Sequence, residues 1–520
     1  MKKILFFVSA AALLTACSSE ELSSVNDQNK AQQAVNFEVY TQRSITRAGT
    51  PGGNNAADEE EPDYGVTTTS LKTGNHKDGF GVFGFYTNDT NYNQDESTPN
   101  FMYNQQVEWS ENKSVWTYEP VKYWPNEFGN DAASEETDYL TFFAYAPWTK
   151  VNVATGVPDA DASNADQVQQ LNITQISKNT ATGDPIIKYV VDTKPKTSVD
   201  LLWGVAAVDG GAELTADDFA SGGTQYQPIQ GANSVKAGAC FVDLVKEKMS
   251  KDGKVAWNFK HALARLNVQI IAVVDTPTEE AHETNSDVKI GTDADGTVDG
   301  KTNVWVRSIS LSGFATKGAL NLYSESDNVS TVADAQPNWK GYDGVTELAF
   351  EEAVTFYDGL KDGKERTANN IQKNEKPTGL NPIITAEKPE TDLPTDKFVN
   401  LWDGAETAED PIYVIPSNEQ MDITIVYDIE TEDENLAGFL SDGTTHGSVI
   451  ENKIQKLKVF DKIEPGKAYV VKIYVGLTSV KFEAVVTPWD VQEAVDIDLP
   501  KNGGETTGGG SSTPEPEPEP

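Results

Sequence analysis

The sequence is short of cysteine, histidine and basic charge, and each shortage removes a class of function. Only Cys17 and Cys240 are present. Once Cys17 carries lipid, Cys240 has no partner for an internal disulfide, so it reads as a small buried apolar residue. The four histidines (His76, His261, His282, His446) are scattered without metal-ligand spacing or companion cysteines, which leaves no metal site to expect. Of these, His261 precedes an apolar strand and reads as a packed or hydrogen-bonded structural residue. Lys and Arg number 41 against 81 Asp and Glu, a formal charge of −40. Phosphate backbones need Lys/Arg clusters, so no nucleic-acid partner is expected. No Gly-x-Ser-x-Gly elbow is present, and no acidic pair stands out. The expectation is a non-enzyme with no catalytic residue and no cofactor.

A second long apolar run is also lacking. The first run, Ile4–Leu14, follows Lys2 and Lys3 and is too short for a permanent span, which takes roughly 20 residues. It closes in Leu14-Thr15-Ala16-Cys17, small residues before a cysteine, the pattern that a lipoprotein signal peptidase reads. Residues 1–17 are therefore expected to be a lipoprotein signal peptide and Cys17 the lipidated (palmitate-bearing) residue, anchored through its acyl chains. Residues 18–34 read as a polar tether, and the early acids Glu20 and Glu21 favour the outer face of the outer membrane.

What is present is alternation. Val35, Phe37 and Val39 alternate with Asn36 and Glu38; Val480, Phe482, Ala484 and Val486 do so with Lys481 and Glu483. Further strands are expected at Phe80–Tyr86, Leu140–Tyr145, Leu266–Val274, Val304–Leu311, Ile412–Ile415, Ile423–Tyr427 and Tyr469–Val475. Period-2 patterning between turn residues marks strands with one wet and one dry face, and many of them read as β-sandwiches. Gly49–Glu61, Thr276–Thr302 and Lys361–Asp396 are polar excursions. Ser250-Lys251-Asp252-Gly253 looks like a connector, giving an expected N-terminal domain over 35–250 and a C-terminal domain over 251–500. Residues 501–520 are Gly/Ser-rich and then alternate Pro and Glu from Pro514 to Pro520, a solvated extended tail.

Two patterns that imitate functional motifs fail on context. Gly79, Gly81 and Gly84 fit the dinucleotide-binding spacing, but Phe85-Tyr86-Thr87-Asn88-Asp89 follows where a helix must open, so they read as strand and bulge positions. Asp293, Asp295 and Asp299 lack the terminal bidentate acid of a calcium loop and read as a polar loop.

Several segments together resemble the fimbrillin family, the type V pilins and pilin-like surface lipoproteins. They are Phe80–Tyr86, Phe101–Val107, Trp116–Pro125, Leu140–Trp148, Phe259–Leu266, Tyr413–Pro416 and Pro465–Tyr469 with the later Trp489. The resemblance implies an all-β chain of two transthyretin-like antiparallel β-sandwich domains in tandem. It also implies export as an adhesive fimbrium subunit, assembled by donor strand exchange after an arginine-specific protease removes the first strand. On these residues that strand is Val35, Phe37 and Val39, with Arg43 and Arg47 as processing sites ahead of the Gly49–Ala57 loop, a kind of segment that proteases cut. Both arginines also read as ordinary surface residues. Val491, Val495, Ile497 and Leu499 form an alternating segment that reads equally as donor strand or as the last strand of the second sandwich. Neighbouring pilin subunits and the outer membrane are the expected partners. The alternative is a non-polymerising tip, anchor or stand-alone adhesin that binds a host glycan or protein. For it, Trp109, Trp305 and Trp339 could stack on sugars, although in a sandwich they read as core.

Overall fold

The computed structural model describes residues 34–41, 65–125 (without 75 and 89), 138–159, 172–206 (without 196), 241–244, 254–274, 302–323, 336–358, 379–384 (without 381), 399–400 and 410–488 (without 441–442 and 477–479). Cys17, Glu20, Glu21, Arg43, Arg47, Cys240, Asp293, Asp295, Asp299 and the segment from Val491 to Leu499 lie outside the described residues.

In chain order the strands are β1 (Asn36–Thr41), β2 (Phe80–Asn88), β3 (Met102–Ser110), β4 (Val115–Thr117), β5 (Asp138–Ala146) and β6 (Ile173–Ile176). Next come β7 (Ile186–Val190), β8 (Leu202–Ala206), β9 (Phe241–Leu244), β10 (Lys254–His261), β11 (Ala264–Val274) and β12 (Thr302–Ser312). Then follow β13 (Lys317–Asn321), β14 (Asn338–Lys340), β15 (Val354–Asp358), β16 (Gly379–Leu380), β17 (Pro382–Ile384) and β18 (Val399–Asn400). The last are β19 (Ile412–Val414), β20 (Met421–Glu432), β21 (Gly447–Phe460), β22 (Lys467–Gly476) and β23 (Val480–Pro488). One short helix, α1 (Thr68–Lys72), occurs among the described residues. Thr67 starts it by a reciprocal cap: its hydroxyl accepts from Ser70 N, and Ser70 Oγ accepts from Thr67 N.

The protein is thus mostly β, built from several sheets. An eight-stranded sheet runs β1-β10-β8-β5-β2-β3-β4, with β9 beside β5; a four-stranded sheet runs β14-β13-β7-β6. Both supply one buried cluster, from Val35 through Phe80, Phe143, Tyr189, Trp257 and Leu320 to Ile415. A second cluster lies between the β17-β11-β22-β23 and β15-β12-β20-β21 sheets, from Ala264 through Ile309, Ile425 and Ile473 to Ala484. The strand expected at Ile423–Tyr427 is realised in β20, where Met421, Ile423, Ile425 and Tyr427 are buried and the intervening Asp422, Thr424 and Val426 are only partly buried.

Two features depart from the expected tandem of antiparallel sandwiches. Pairing is parallel between β1 and β10, between β11 and β22, and between β11 and β17. Alternation fixes which face a strand buries but not the direction of its neighbour. In addition, β10, β13 and β14 follow residue 250 in sequence, yet Val255, Trp257, Phe259, Leu320 and Leu322 complete the first cluster. A polar connector marks a turn and says nothing about which sheet receives the next strand.

Of the glycines in the dinucleotide-like pattern, Gly81 and Gly84 sit in β2 and Gly79 directly precedes it; the strand continues to Asn88, with no helix behind it among the described residues. Gly79 has φ +74, and a Cβ there would meet Val107 O at 2.0 Å. At Gly81 a Cβ would meet the Tyr145 ring at 2.3 Å, and the β2–β3 register shifts between Val82 and Gly84. These glycines serve close packing and a bulge.

Candidate functional site

The geometry of the N-terminal strand follows from its sequence. Val35, Phe37 and Val39 point inward and are buried, while Asn36 is exposed. In parallel register Asn36 faces Lys254 and Thr41 faces Phe259, so the apolar row of β1 lies beside Val255, Trp257 and Phe259 of β10. Phe37 occupies a ring of aromatics: Tyr118 at 5.5 Å, Phe142 at 5.9 Å and Phe80 at 6.3 Å between centroids. The edge-to-face arrangement with Phe80 and Phe142 is the favourable one for aromatic quadrupoles.

The eight-stranded sheet curls so that β1 also meets the segment that follows β4. Val35 N donates to Lys122 O at 2.9 Å, and Ala34 bridges Tyr123. The Tyr118 hydroxyl donates to Val35 O at 2.7 Å and accepts from Lys122 N at 3.2 Å. Burial pushes this phenol up to about 12, outweighing the opposite effect of the Lys122 backbone bond. One strand therefore fills the space between β10 and residues 118–123, with three apolar side chains directed into the core. Their burial contributes roughly 1.5–3 kcal/mol each.

Both placed ends of the 42–64 stretch, which contains Arg43 and Arg47, meet at the same end of β10. Thr41 pairs with Phe259, and Val66 N donates to Asp200 Oδ2 at 3.1 Å. That same oxygen contacts His261 Nδ1 at 2.6 Å, and the Asp200 side chain is fully buried. His261 is thus a hydrogen-bonded structural residue, as its place before an apolar strand suggests. No local pattern singles out Asp200, an acid among 81, or the role of Tyr118 within the Trp116–Pro125 segment. Neither Trp109 nor Trp339 is an open platform. Trp109 packs on Trp116 at 5.4 Å under Lys72, and Trp339 Nε1 donates to Ala262 O at 2.8 Å. Nothing is described of the side chain of Trp305. Among the described residues no group of three His, Cys, Asp or Glu could hold a metal ion, and no helix is long and apolar enough to cross a membrane.

Residues 1–18 match the prokaryotic membrane lipoprotein lipid attachment site, so the chain carries a membrane-lipoprotein signal. Over 157 residues the chain is 30% identical to the fimbrium subunit Fim1C of Phocaeicola vulgatus, covering 29% of this chain and 33% of that protein. The chain thus spans about a third of the length of this curated relative. A fimbrial protein from Bacteroides vulgatus aligns over 88% of this chain and 99% of its own, with TM-score 0.44 and 18% identity. A fimbrilin (fimA) from Porphyromonas gingivalis covers 90% and 99%, with TM-score 0.25 and 9% identity. The likeness to a fimbrium subunit agrees with the resemblance seen in the sequence segments.

Proposed function

We propose that this protein is a non-enzymatic surface lipoprotein, anchored in the outer membrane through lipid on Cys17, that serves as an adhesive fimbrium subunit after losing its first strand. The observation that carries the reading is β1 itself. It fills a groove in the first core and, among the described strands, pairs with β10 alone. Cleavage after Arg47 or Arg43 would separate β1 from Val66, which Asp200 holds independently. The strand would then rest only on its own contacts, and its departure would uncover Val255, Trp257 and Phe259 beside an unpaired backbone edge. Such an edge accepts an added strand. A neighbouring subunit supplies that strand in this reading, with Val491, Val495, Ile497 and Leu499 as the donor residues. The likeness to the Fim1C subunit supports the assembly class.

Treatment of the purified chain with an arginine-specific protease tests this. The expected result is a start at Ser44 or Ala48 together with multimers that survive mild denaturant. A chain with Arg43→Ala and Arg47→Ala should keep its N-terminal strand and stay monomeric. A cleaved chain that keeps β1 and stays monomeric would point to a stand-alone adhesin or an anchor.

A further inference from the structure

The solvent face of the four-stranded sheet gathers positive charge in a protein whose net charge is strongly negative. Lys188 of β7 and Lys340 of β14 both pair with Ala319 of β13, so the three residues form one row across the sheet. Directly paired residues share a face. Lys317, two positions before Ala319, projects to the same face. The opposite face carries Ile187, Tyr189, Leu320 and Trp339, which pack in or against the first cluster.

Over the lysine face folds the loop after β14. The Tyr342 ring lies 5.3 Å from Lys188 Nζ and 5.5 Å from Lys317 Nζ, and its hydroxyl is hydrogen-bonded to Thr174 Oγ1. None of the three lysines forms an ion pair with a described residue. The acid beside them, Asp343, is taken up by its own loop: its carboxylate accepts from Thr346 N, Val345 N and Thr346 Oγ1. The surface is therefore a held aromatic ring flanked by cations that form no ion pair with a described residue, with the exposed Asp343 the acid beside Lys188.

We infer that this face docks the acidic Pro-Glu segment of the same chain, Pro514–Pro520. The charges are complementary. In a polyproline-like form, with three residues per turn and a rise of about 3.1 Å per residue, Glu515, Glu517 and Glu519 would recur at about 6 Å and fan around the axis. Lys188 and Lys340 stand about 10 Å apart across two strand spacings, and Lys317 about 7 Å along β13 from their row. Aromatic side chains are the usual seat for proline rings in such ligands.

Pro488, where the described chain stops, pairs with Lys467; the adjacent Gly466 N donates to Leu263 O at 2.9 Å. The neighbouring Ala262 O accepts from Trp339 Nε1 on β14 at 2.8 Å. The end of β23 is thus joined to the edge of the lysine-bearing sheet through consecutive hydrogen bonds. A fully flexible connection of the length of residues 489–513 would have a typical span of roughly 25–30 Å. Docking would hold residues 489–513 close to their own body and so compete with their service as donor. That consequence rests on the donor reading above, whereas the docking does not.

Carbodiimide coupling of the full chain at low salt, read by peptide mass spectrometry of the monomer, tests the inference. Glu515, Glu517 and Glu519 should couple preferentially to Lys188, Lys317 and Lys340. Yields should fall several-fold at high salt and vanish in a Lys188→Gln, Lys317→Gln, Lys340→Gln chain whose circular dichroism is unchanged. A Glu515→Gln, Glu517→Gln, Glu519→Gln chain keeps the face intact and should speed acylation of the same three lysines. Coupling spread evenly over exposed lysines such as Lys150, Lys458 and Lys462 would overturn the proposal. So would coupling found only in dimers and lost on dilution, which would mean a tail from a second copy. Equal acylation with and without the acidic tail, but protection by a sulfated oligosaccharide, would assign the face to a glycan instead.

Discussion

The hydroxyl of Tyr118 donates to the carbonyl of Val35 at 2.7 Å, which joins the segment after β4 to the start of the first strand. The same hydroxyl receives Lys122 N–H, whose carbonyl in turn accepts from Val35 N. Three hydrogen bonds thus close the groove at its N-terminal end. Tyr118→Phe leaves Val35 O and Lys122 N without this partner, and burying an unsatisfied group costs about 1–3 kcal/mol. Urea unfolding of the intact chain should show that loss, with the slope of the transition unchanged. A chain already freed of β1 should show less, because Val35 is gone.

Phe37→Ala should have a larger effect. The ring is buried among Phe80, Tyr118 and Phe142. Truncation of buried Phe costs about 3–5 kcal/mol. The midpoint of denaturation of the intact chain is the readout. In the strand-exchange account the same change also speeds release of β1 after cleavage at Arg47.

Alkaline pH should weaken the fold in a defined window. Burial raises the phenols of Tyr118, Tyr427 and Tyr469 to about 12 from an ordinary value near 10. Between those values the unfolded chain has released protons that the folded chain retains, so stability falls as pH rises. It is fully present below about 10 and is lost as pH approaches about 12. Denaturation midpoints measured through that range should decline, and less steeply for Tyr118→Phe.

Gly81→Ala tests whether the Gly79–Gly84 pattern serves packing or a ligand. The added methyl would meet the Tyr145 ring at 2.3 Å in the sealed first core. Overpacking of this kind costs about 1–3 kcal/mol. The thermal midpoint should fall, and no nucleotide should shift it in either chain.

Asp200→Ala should loosen the chain where it returns at Val66, because one carboxylate oxygen receives both Val66 N–H and His261 Nδ1. Hydrogen exchange at Val66 should quicken markedly while amides in β20 stay protected. Equal exchange in both chains would mean that α1 is held by its other contacts.

The alternating segments were legible because a half-buried strand writes its wet and dry faces into the sequence. Val35, Phe37 and Val39 and the strand expected at Ile423–Tyr427 read in this way, whereas in the Val480–Val486 row Ala484 is buried but Val486 is exposed. The glycines of β2 were legible by elimination, since no helix pattern follows Gly84. Strand direction was not legible. Nothing in Val35–Val39 states that β1 runs parallel to β10, because both directions bury the same side chains. The polar anchors were hidden for a different reason. Asp200 and Tyr118 act through partners 61 and 83 residues away in sequence, and local patterning does not record such distances. The lysine face escaped because Lys188, Lys317 and Lys340 converge only through cross-strand register.

The central claim is that β1 is a removable strand, and the N-terminus of the protein recovered from the cell surface tests it most directly. Sequencing should give a start at Ser44 or Ala48, with the Val35–Val39 row absent from the mature form. A surface protein that begins at a blocked, lipid-bearing Cys17 and retains Val35, Phe37 and Val39 would contradict it.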